Sequence, residues 1–369
     1  MQLRVDLATP ADDAAIRGLL RRQPMPGAIR LGYEREPDFS LGCCVTGDDF
    51  QVVVARNAGE GEIVGVACRS ARRLYLNGRE QRLGYLGQLR IDPHFQGRWL
   101  VSRGFALLKQ LDDRDPVPAY LAAIIDGNRE ATGVLVQSQR KLFPTFRPAA
   151  DLSTLAIPLH RPKPAVHDGL DISPAKESQL GDLARFLQAR GRARQFFPVW
   201  TEDAIRSLRS LGLGLDDLQI ARHIPNQEIA GVAGLWDQSA YKQMIVRGYS
   251  GWMRAVAPFY NLSAPWLGRP ALPRPGAELR SAYGAFLCIA NDDVNVFRAL
   301  LRQLYSVARA RKFEYLLIGL DERDPLLRVA REYSHVPYRS RLYLAEWPNG
   351  GHLHEQLDQR PAYVDIATL

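Results

Sequence analysis

The sequence predicts an α/β (α+β) protein of two tandem units, each a mixed, mostly antiparallel sheet flanked by helices. Three observations carry this reading. The chain repeats itself, apolar periodicity alternates between strand and helix in the same order in both copies, and 369 residues suit two domains at ~150 residues each.

The repeat comes first. Val5-Asp-Leu-Ala-Thr-Pro-Ala-Asp-Asp returns as Leu170-Asp-Ile-Ser-Pro-Ala-Lys-Glu-Ser. Glu62-Ile-Val-Gly-Val-Ala returns as Glu228-Ile-Ala-Gly-Val-Ala, Leu107-Leu-Lys-Gln-Leu as Leu300-Leu-Arg-Gln-Leu, and Tyr120-Leu-Ala-Ala-Ile-Ile-Asp as Tyr315-Leu-Leu-Ile-Gly-Leu-Asp. The offset grows from 165 (Val5 to Leu170) to 195 (Tyr120 to Tyr315). An insertion of about 30 residues in the second copy explains the drift, and the Pro/Gly/Trp-rich stretch 252–278 is its natural place.

Copy one opens with a strand at 2–7 and a helix at 10–22, started by Thr9-Pro10 as a cap followed by a fixed φ. An irregular stretch covers 23–48. Strands at 50–56 and 62–73 flank the turn Asn57-Ala-Gly-Glu-Gly. Asn77-Gly78 marks a hairpin into a strand through 82–91, because Asn-Gly suits the turn that matches strand twist. A helix at 99–112, a strand at 119–125, a helix at 128–141 and a strand at 151–159 complete the copy, giving a mostly antiparallel sheet joined to a β–α–β crossover. The prolines of His160-Arg-Pro-Lys-Pro mark a linker. The expected division is 1–160, linker 161–169, 170–347, and a tail 348–369.

Composition narrows the function. A hydrophobic fraction of 46% and a charged fraction of 24% fit a globular protein, and no apolar run approaches the ~18 residues of a membrane helix. The acidic pair Asp12-Asp13 falls where a signal peptide would stay apolar, so no export signal is expected. Four cysteines, none in a C-x-x-C pair, suit a reduced cytoplasmic protein, and scattered histidines predict no metal site. The net charge of +8 favours an anionic ligand. The basic residues are spread rather than blocked, so a phosphorylated cofactor is favoured over nucleic acid.

The informative segment runs Leu86-Gly-Gln-Leu-Arg-Ile-Asp-Pro-His-Phe-Gln-Gly-Arg-Trp-Leu-Val-Ser. A strand ends in Asp92-Pro93, a loop passes Gln96-Gly97-Arg98, and a helix follows at once. Free N–H groups and the dipole of a helix start receive a phosphate or pyrophosphate; Gly97 permits close approach and Arg98 adds charge.

This segment resembles motif A of the GCN5-related N-acetyltransferases, with Ile91-Asp-Pro93 in the place of V-x-P and Gln96-Gly97-Arg98 opening the phosphate loop. Trp99 and Val101 stand at the two later positions where the family has small residues. Asn128-Arg-Glu-Ala131 is similar to the family's N-x-x-A, Leu135 stands where a Tyr often protonates the leaving thiolate, and Phe146-Arg147 stands where the family has Gly-Phe. The resemblance covers about 1–160 and again 168–347. It implies two acyl-CoA N-acyltransferase-like units, acetyl-CoA or another acyl-CoA as co-substrate, and a small-molecule or peptide amine as acceptor. The implied cofactor contacts are Leu89, Arg90, Ile91, Gln96, Gly97, Arg98, Trp99, Leu100, Val101, Ser102 and Asn128. Backbone N–H groups of Leu89 to Ile91 would hold the thioester carbonyl.

For proton transfer the candidates are Asp126, Tyr85 and Gln88, with Asp92 and Tyr120 behind them. Plainer roles compete: Asp126 as a helix cap, Tyr85 and Trp99 as packing residues, Arg98 as a solvated charge. The aromatic run Phe196-Phe197-Pro-Val-Trp200 reads as core or inter-domain packing, or as a wall of the acceptor pocket. Stretch 23–48, with Tyr33, Phe39 and Cys43, is expected to touch the acceptor. In the second copy the corresponding loop, Ile289-Ala-Asn-Asp-Asp-Val, has no glycine and two carboxylates that cap a helix but repel a pyrophosphate. The second copy is therefore expected to have lost the site. Two other roles stay open, a non-catalytic acyl-CoA-binding or scaffold protein and an aminoacyl-tRNA-dependent transferase. So does a sheet-edge homodimer.

Overall fold

A computed structural model describes residues 3–369 except 26, 58, 60, 97, 138–142, 167–168, 264–265 and 267–271, and except the side chains of Arg98 and Ser263. The strands among the described residues are β1 (Leu3–Leu7), β2 (Ile29–Glu34), β3 (Asp49–Asn57), β4 (Ile63–Leu76), β5 (Arg79–Ile91), β6 (Tyr120–Ile125), β7 (Thr145–Pro158), β8 (Leu170–Pro174), β9 (Leu218–His223), β10 (Ile229–Trp236), β11 (Gln243–Tyr249), β12 (Ser281–Ile289), β13 (Tyr315–Asp321) and β14 (Val336–Glu346). The helices are α1 (Asp13–Arg22), α2 (Phe39–Cys44), α3 (Arg98–Arg114), α4 (Arg129–Ala131), α5 (Leu180–Gly191), α6 (Glu202–Ser207), α7 (Gly251–Ser263), α8 (Val294–Ala310) and α9 (Leu327–Ala330).

Twelve strands form one sheet in the order β1-β3-β4-β5-β6-β14-β7-β13-β12-β10-β9-β8. The two halves mirror each other about its centre, where they exchange their last strands. β14, from the second half, pairs antiparallel with β6 from Ser340↔Ile125 to Ala345↔Tyr120. β7, from the first half, pairs antiparallel with β13 from Tyr315↔Pro158 to Asp321↔Leu152. β7 and β14 also pair with each other, so the seam is itself continuous ladder. Nearly all ladders are antiparallel; β5–β6 and β12–β13 are parallel.

Local chemistry sets the elements. Asn77 (φ 50°) and Gly78 (φ 75°) both occupy the left-handed region, which a type I′ hairpin turn demands and the dipeptide supplies. On α8, Val296, Phe297, Leu300, Leu301, Leu304, Tyr305 and Ala308 are buried at helical spacing and face β10. The aromatic run 196–200 packs as expected: Phe196 N–H donates to the Tyr75 carbonyl and Tyr75 N–H to that of Phe197, and Trp200 stacks on Phe286 at 4.3 Å. All four cysteines are free thiols. No helix among the described residues is long and apolar enough to cross a membrane.

Three stretches differ from the sequence reading. The irregular stretch 23–48 contains β2 and α2, and β2 forms a separate two-stranded ribbon with β11 of the second half. The helix expected at 128–141 is α4 followed by a π turn over Thr132–Val136, while 138–142 lie outside the described residues. Residues 362–368, in the stretch read as a tail, are buried: Tyr363, Ile366 and Ala367 pack into the second half, and Ala362 and Val364 against Leu74, Leu83 and Leu121 of the first.

At the first helix start Asp12 accepts from Thr9 N–H (2.7 Å), Thr9 Oγ1 (2.9 Å) and, doubly, from Arg56 (2.5 and 2.7 Å). The Arg56 hydrogen bonds hold its carboxyl well below the ordinary value of 3.8. The folded state therefore binds this proton more weakly than the unfolded chain. The stability it adds is present above 3.8 and drains away as pH falls below it. Asp12→Asn is expected to flatten the acid limb of stability against pH in denaturant titrations; an unchanged limb would show that other carboxylates set it.

Candidate active site

The site grows from a break in the β4–β5 ladder. Pairing runs Leu76↔Arg79 to Cys68↔Gly87, then slips to Val66↔Arg90, so Gln88 and Leu89 bulge from β5. Gln88 sits at φ 58°, a left-handed conformation that a non-glycine residue adopts at a cost and that re-aims the following amides. The parallel β5–β6 pairing ends at Tyr85↔Leu121, so beyond it the two strands part. The 86–91 edge of β5 thus faces an opening between strands. Tyr85 folds over Gly87, where a Cβ would lie 2.6 Å from its ring. Burial pushes the Tyr85 hydroxyl up, so at neutral pH it holds its proton and can donate it.

The second half repeats the break. β10–β12 slips between Val232 and Gly234, Phe286 sits at φ 54°, and the parallel β12–β13 pairing covers only Ser281–Tyr283. Here the amides are taken: Phe286 N–H donates to Asp365 Oδ2 (3.0 Å) and Leu287 N–H to Tyr363 Oη (2.9 Å). At the start of α8, Asp293 Oδ1 accepts from the N–H groups of Asn295 (2.8 Å) and Val296 (3.4 Å). The bulge and the helix start of this half are thus both hydrogen-bonded by the chain's own side chains.

Beside the first bulge lies a cavity of about 100 Å³ between the sheet and α3. Val53, Val66, Leu89, Ile91, Leu100, Val101 and Leu135 are among its apolar walls. At roughly 10–15 Å³ per water-sized sphere, it has room for about seven to ten such spheres, enough for a short apolar chain.

No protein-family model matches the sequence, and no curated protein matches it. Solved structures do. A GCN5-related N-acetyltransferase from Sphaerobacter thermophilus superposes with a TM-score of 0.56 at 14% identity, over 100% of this chain and 98% of that one. The chain has the GCN5-related N-acetyltransferase fold. Saccharomyces cerevisiae N-myristoyltransferase with bound myristoyl-CoA matches at 0.61 and 9% identity, over 98% and 85% of the two chains. The GCN5-related glucosamine N-acetyltransferase region of a fungal multi-domain GH3 beta-N-acetylglucosaminidase matches at 0.63 and 15% identity. That match covers 93% of this chain, which spans 38% of the fungal one.

On this GCN5-related scaffold the expected residues fall into groups. Tyr85, Gln88, Leu89, Arg90 and Ile91 lie together on the bulged strand, and Arg90 Nη1 donates back to the Leu89 carbonyl at 2.9 Å. Leu100 and Val101 point into the apolar cavity from α3, and Ser102 is half-buried on the same helix. Gln96 is exposed and donates from Nε2 to Glu130 at 3.4 Å. Gly97 and the Arg98 side chain lie outside the described residues. Trp99 is 78% exposed, which overturns its reading as a packing residue: it stands on the outer face of α3. Asn128 caps α4 through Ala131 N–H (3.0 Å), taking the cap role considered for Asp126, which is exposed at the end of β6. Asp92 accepts from His94 N–H. Tyr120 is structural: its hydroxyl donates to Asp112 (2.6 Å), accepts from buried Arg69 (2.8 Å), and is 1% exposed.

Sequence reasoning missed Arg35, Lys242, Tyr363 and Asp365. The first two sit at facing ends of a ribbon joining distant segments, and the last two in a stretch with no periodic signal.

Proposed function

We propose that the protein is an acyl-CoA-dependent N-acyltransferase whose first half holds the acyl-CoA. The observation that carries this is the contrast between the halves: one bulged strand faces an open gap, while its counterpart is filled by Asp365 and Tyr363. The thioester carbonyl would take its hydrogen bonds from the backbone beyond Gln88. The phosphates would lie at the start of α3, since the first turn of a helix presents N–H groups that receive anions. The acyl chain would enter the apolar cavity, which favours chains longer than acetyl.

In the reaction a neutral amine attacks the carbonyl, the C–N bond forms, and the C–S bond breaks. The nitrogen gives up its proton to water or to Asp126, and Tyr85 supplies the proton that the thiolate takes. The free thiols suit a reducing cytoplasm. A non-catalytic acyl-CoA-binding role is the second reading, favoured by Leu135 standing in the cavity wall where the family often has Tyr.

Calorimetric titration tests the core of this. One acyl-CoA is expected per chain, with octanoyl-CoA bound more tightly than acetyl-CoA; no binding at millimolar ligand would sink both readings. Thiol release with a panel of amines separates enzyme from binder. Gly104, on α3 and in the cavity wall, has nothing within 4 Å of where a Cβ would stand. Gly104→Ala is expected to stabilise the fold by about 1 kcal/mol through helix propensity. Gly104→Phe is expected to fill the cavity and erase the preference for octanoyl-CoA; a preference that survives would place the acyl chain elsewhere.

A further inference from the structure

The β2–β11 ribbon brings cations from both halves to one place. Its register pairs Tyr33↔Met244 and Glu34↔Gln243, so Arg35 and Lys242 follow at the next rung. Gln243 fixes that rung, accepting from Glu36 N–H (3.0 Å) and donating to the Glu36 carbonyl (2.9 Å). Arg35 is 4% exposed and passes over Gly42, where a Cβ would lie 2.7 Å from its Cδ and Nε. It donates only to the Glu34 carbonyl at 3.4 Å, and no carboxylate pairs with it among the described residues. Lys242 Nζ stands 4.8 Å over the Tyr283 ring and donates to a main-chain oxygen of the last residue, Leu369 (2.9 Å), and to the Ala367 carbonyl (3.5 Å). Arg90, half-buried on the bulged strand, is near enough to feel the Arg35 charge.

Nearby acids are committed elsewhere. Glu34 pairs with Arg21 and Arg247, and Asp365 accepts from Phe286 and Ala367 amides. Asp38 caps α2. Burial first, and the Arg35 charge after it, push Lys242 and Arg90 down, while Asp365 pulls Lys242 part of the way back. Tyr33, Tyr85, Arg90, Lys242 and Tyr338 are each half-buried, so the cluster keeps partial solvent access. An unpaired buried guanidinium costs several kcal/mol, a cost that an anionic ligand removes.

We infer that the acceptor amine carries an anionic group, a carboxylate or a phosphate, held by Arg35, Lys242 and Arg90 beside Tyr85. This rests on the acyltransferase reading above, and the experiment separates the two. With CoA saturating its own site, two pairs of probes are titrated by calorimetry: O-phosphoethanolamine against ethanolamine, and β-alanine against its amide. The charged member of at least one pair is expected to bind about tenfold tighter or more, as a charge-assisted hydrogen bond implies. The better pair identifies phosphate or carboxylate. Arg35→Met is expected to bring that pair within about twofold, and Arg35→Lys to restore part of the difference. Lys242→Met is a second route if Arg35→Met does not fold, checked by circular dichroism. Equal binding within both pairs, no binding of either charged probe, or a preference untouched by folded Arg35→Met and Lys242→Met would overturn the inference. If acyl-CoA still binds in that event, the acyltransferase reading stands. If acyl-CoA fails to bind while the charged probes do, that reading falls and the anion site remains.

Discussion

Tyr85→Phe is expected to leave acyl-CoA binding unchanged and to cut acyl transfer by roughly 10²–10⁴-fold, the range for loss of a positioned general acid. Three features single this hydroxyl out. Its strand carries the bulge at Gln88, its ring lies over Gly87, and burial keeps its proton in place at neutral pH. Leu135 leaves no hydroxyl at the position where the family often has its proton donor. Loss of a group that acts only in the transition state lowers kcat and kcat/KM together, whereas loss of a packing group would raise KM or lower stability. Tyr120→Phe is the control. Its hydroxyl ties Asp112 to Arg69, so that change is expected to lower the melting temperature with kcat nearly intact. Turnover by Tyr85→Phe within about threefold of the parent would move the proton donor elsewhere, most directly to a water held by Gln88.

Much of this arrangement was legible in the residues. The four sequence matches fall on elements that follow one another in the same order in the two halves: β1 and β8, β4 and β10, α3 and α8, β6 and β13. Gln88 and Phe286 occupy the same step of that plan. The cap of α8 was legible too, since the carboxylate at Asp293 that accepts from Asn295 N–H is visible in the sequence. What stayed hidden depends on partners far along the chain. β2 reads as an irregular stretch between prolines because its partner, β11, lies over 200 residues away, as in Glu34↔Gln243. The strand exchange leaves no trace, because β7 and β14 would show the same apolar alternation in either sheet. β7 begins at Thr145 rather than near 151 because the ladder continues past Pro148, which lacks an N–H, by a slip between Leu342 and Tyr343 that leaves Ala149 as the extra residue. Trp99 misled in the opposite sense. An aromatic residue at a helix start suggests packing, but here it points to solvent.

Asp365→Ala is expected to be the most destabilising single change, costing about 3 kcal/mol or more in denaturant titrations. The side chain is 2% exposed, and its loss would strand the buried Phe286 N–H. It would also remove the anion that Arg72 feels from beneath the Trp200 ring, 5.2 Å away. Asp365→Asn keeps the shape and one acceptor, so a smaller loss is expected. Burial raises the Asp365 carboxyl above its ordinary 3.8, so the folded state holds this proton more tightly than the unfolded chain. Its contribution is therefore greatest below 3.8 and declines as pH rises through the raised folded value, opposite in sign to Asp12. The Asn variant is expected to lose that decline. Ligand stoichiometry distinguishes a structural Asp365 from a plug. Asp293 still places a carboxylate at the start of α8, where it repels a pyrophosphate, so Asp365→Asn is expected to bind one acyl-CoA per chain, as the parent does. Two bound per chain would mean that Asp365 alone keeps the second half closed, and that its helix start can still accept a phosphate despite the capping carboxylate.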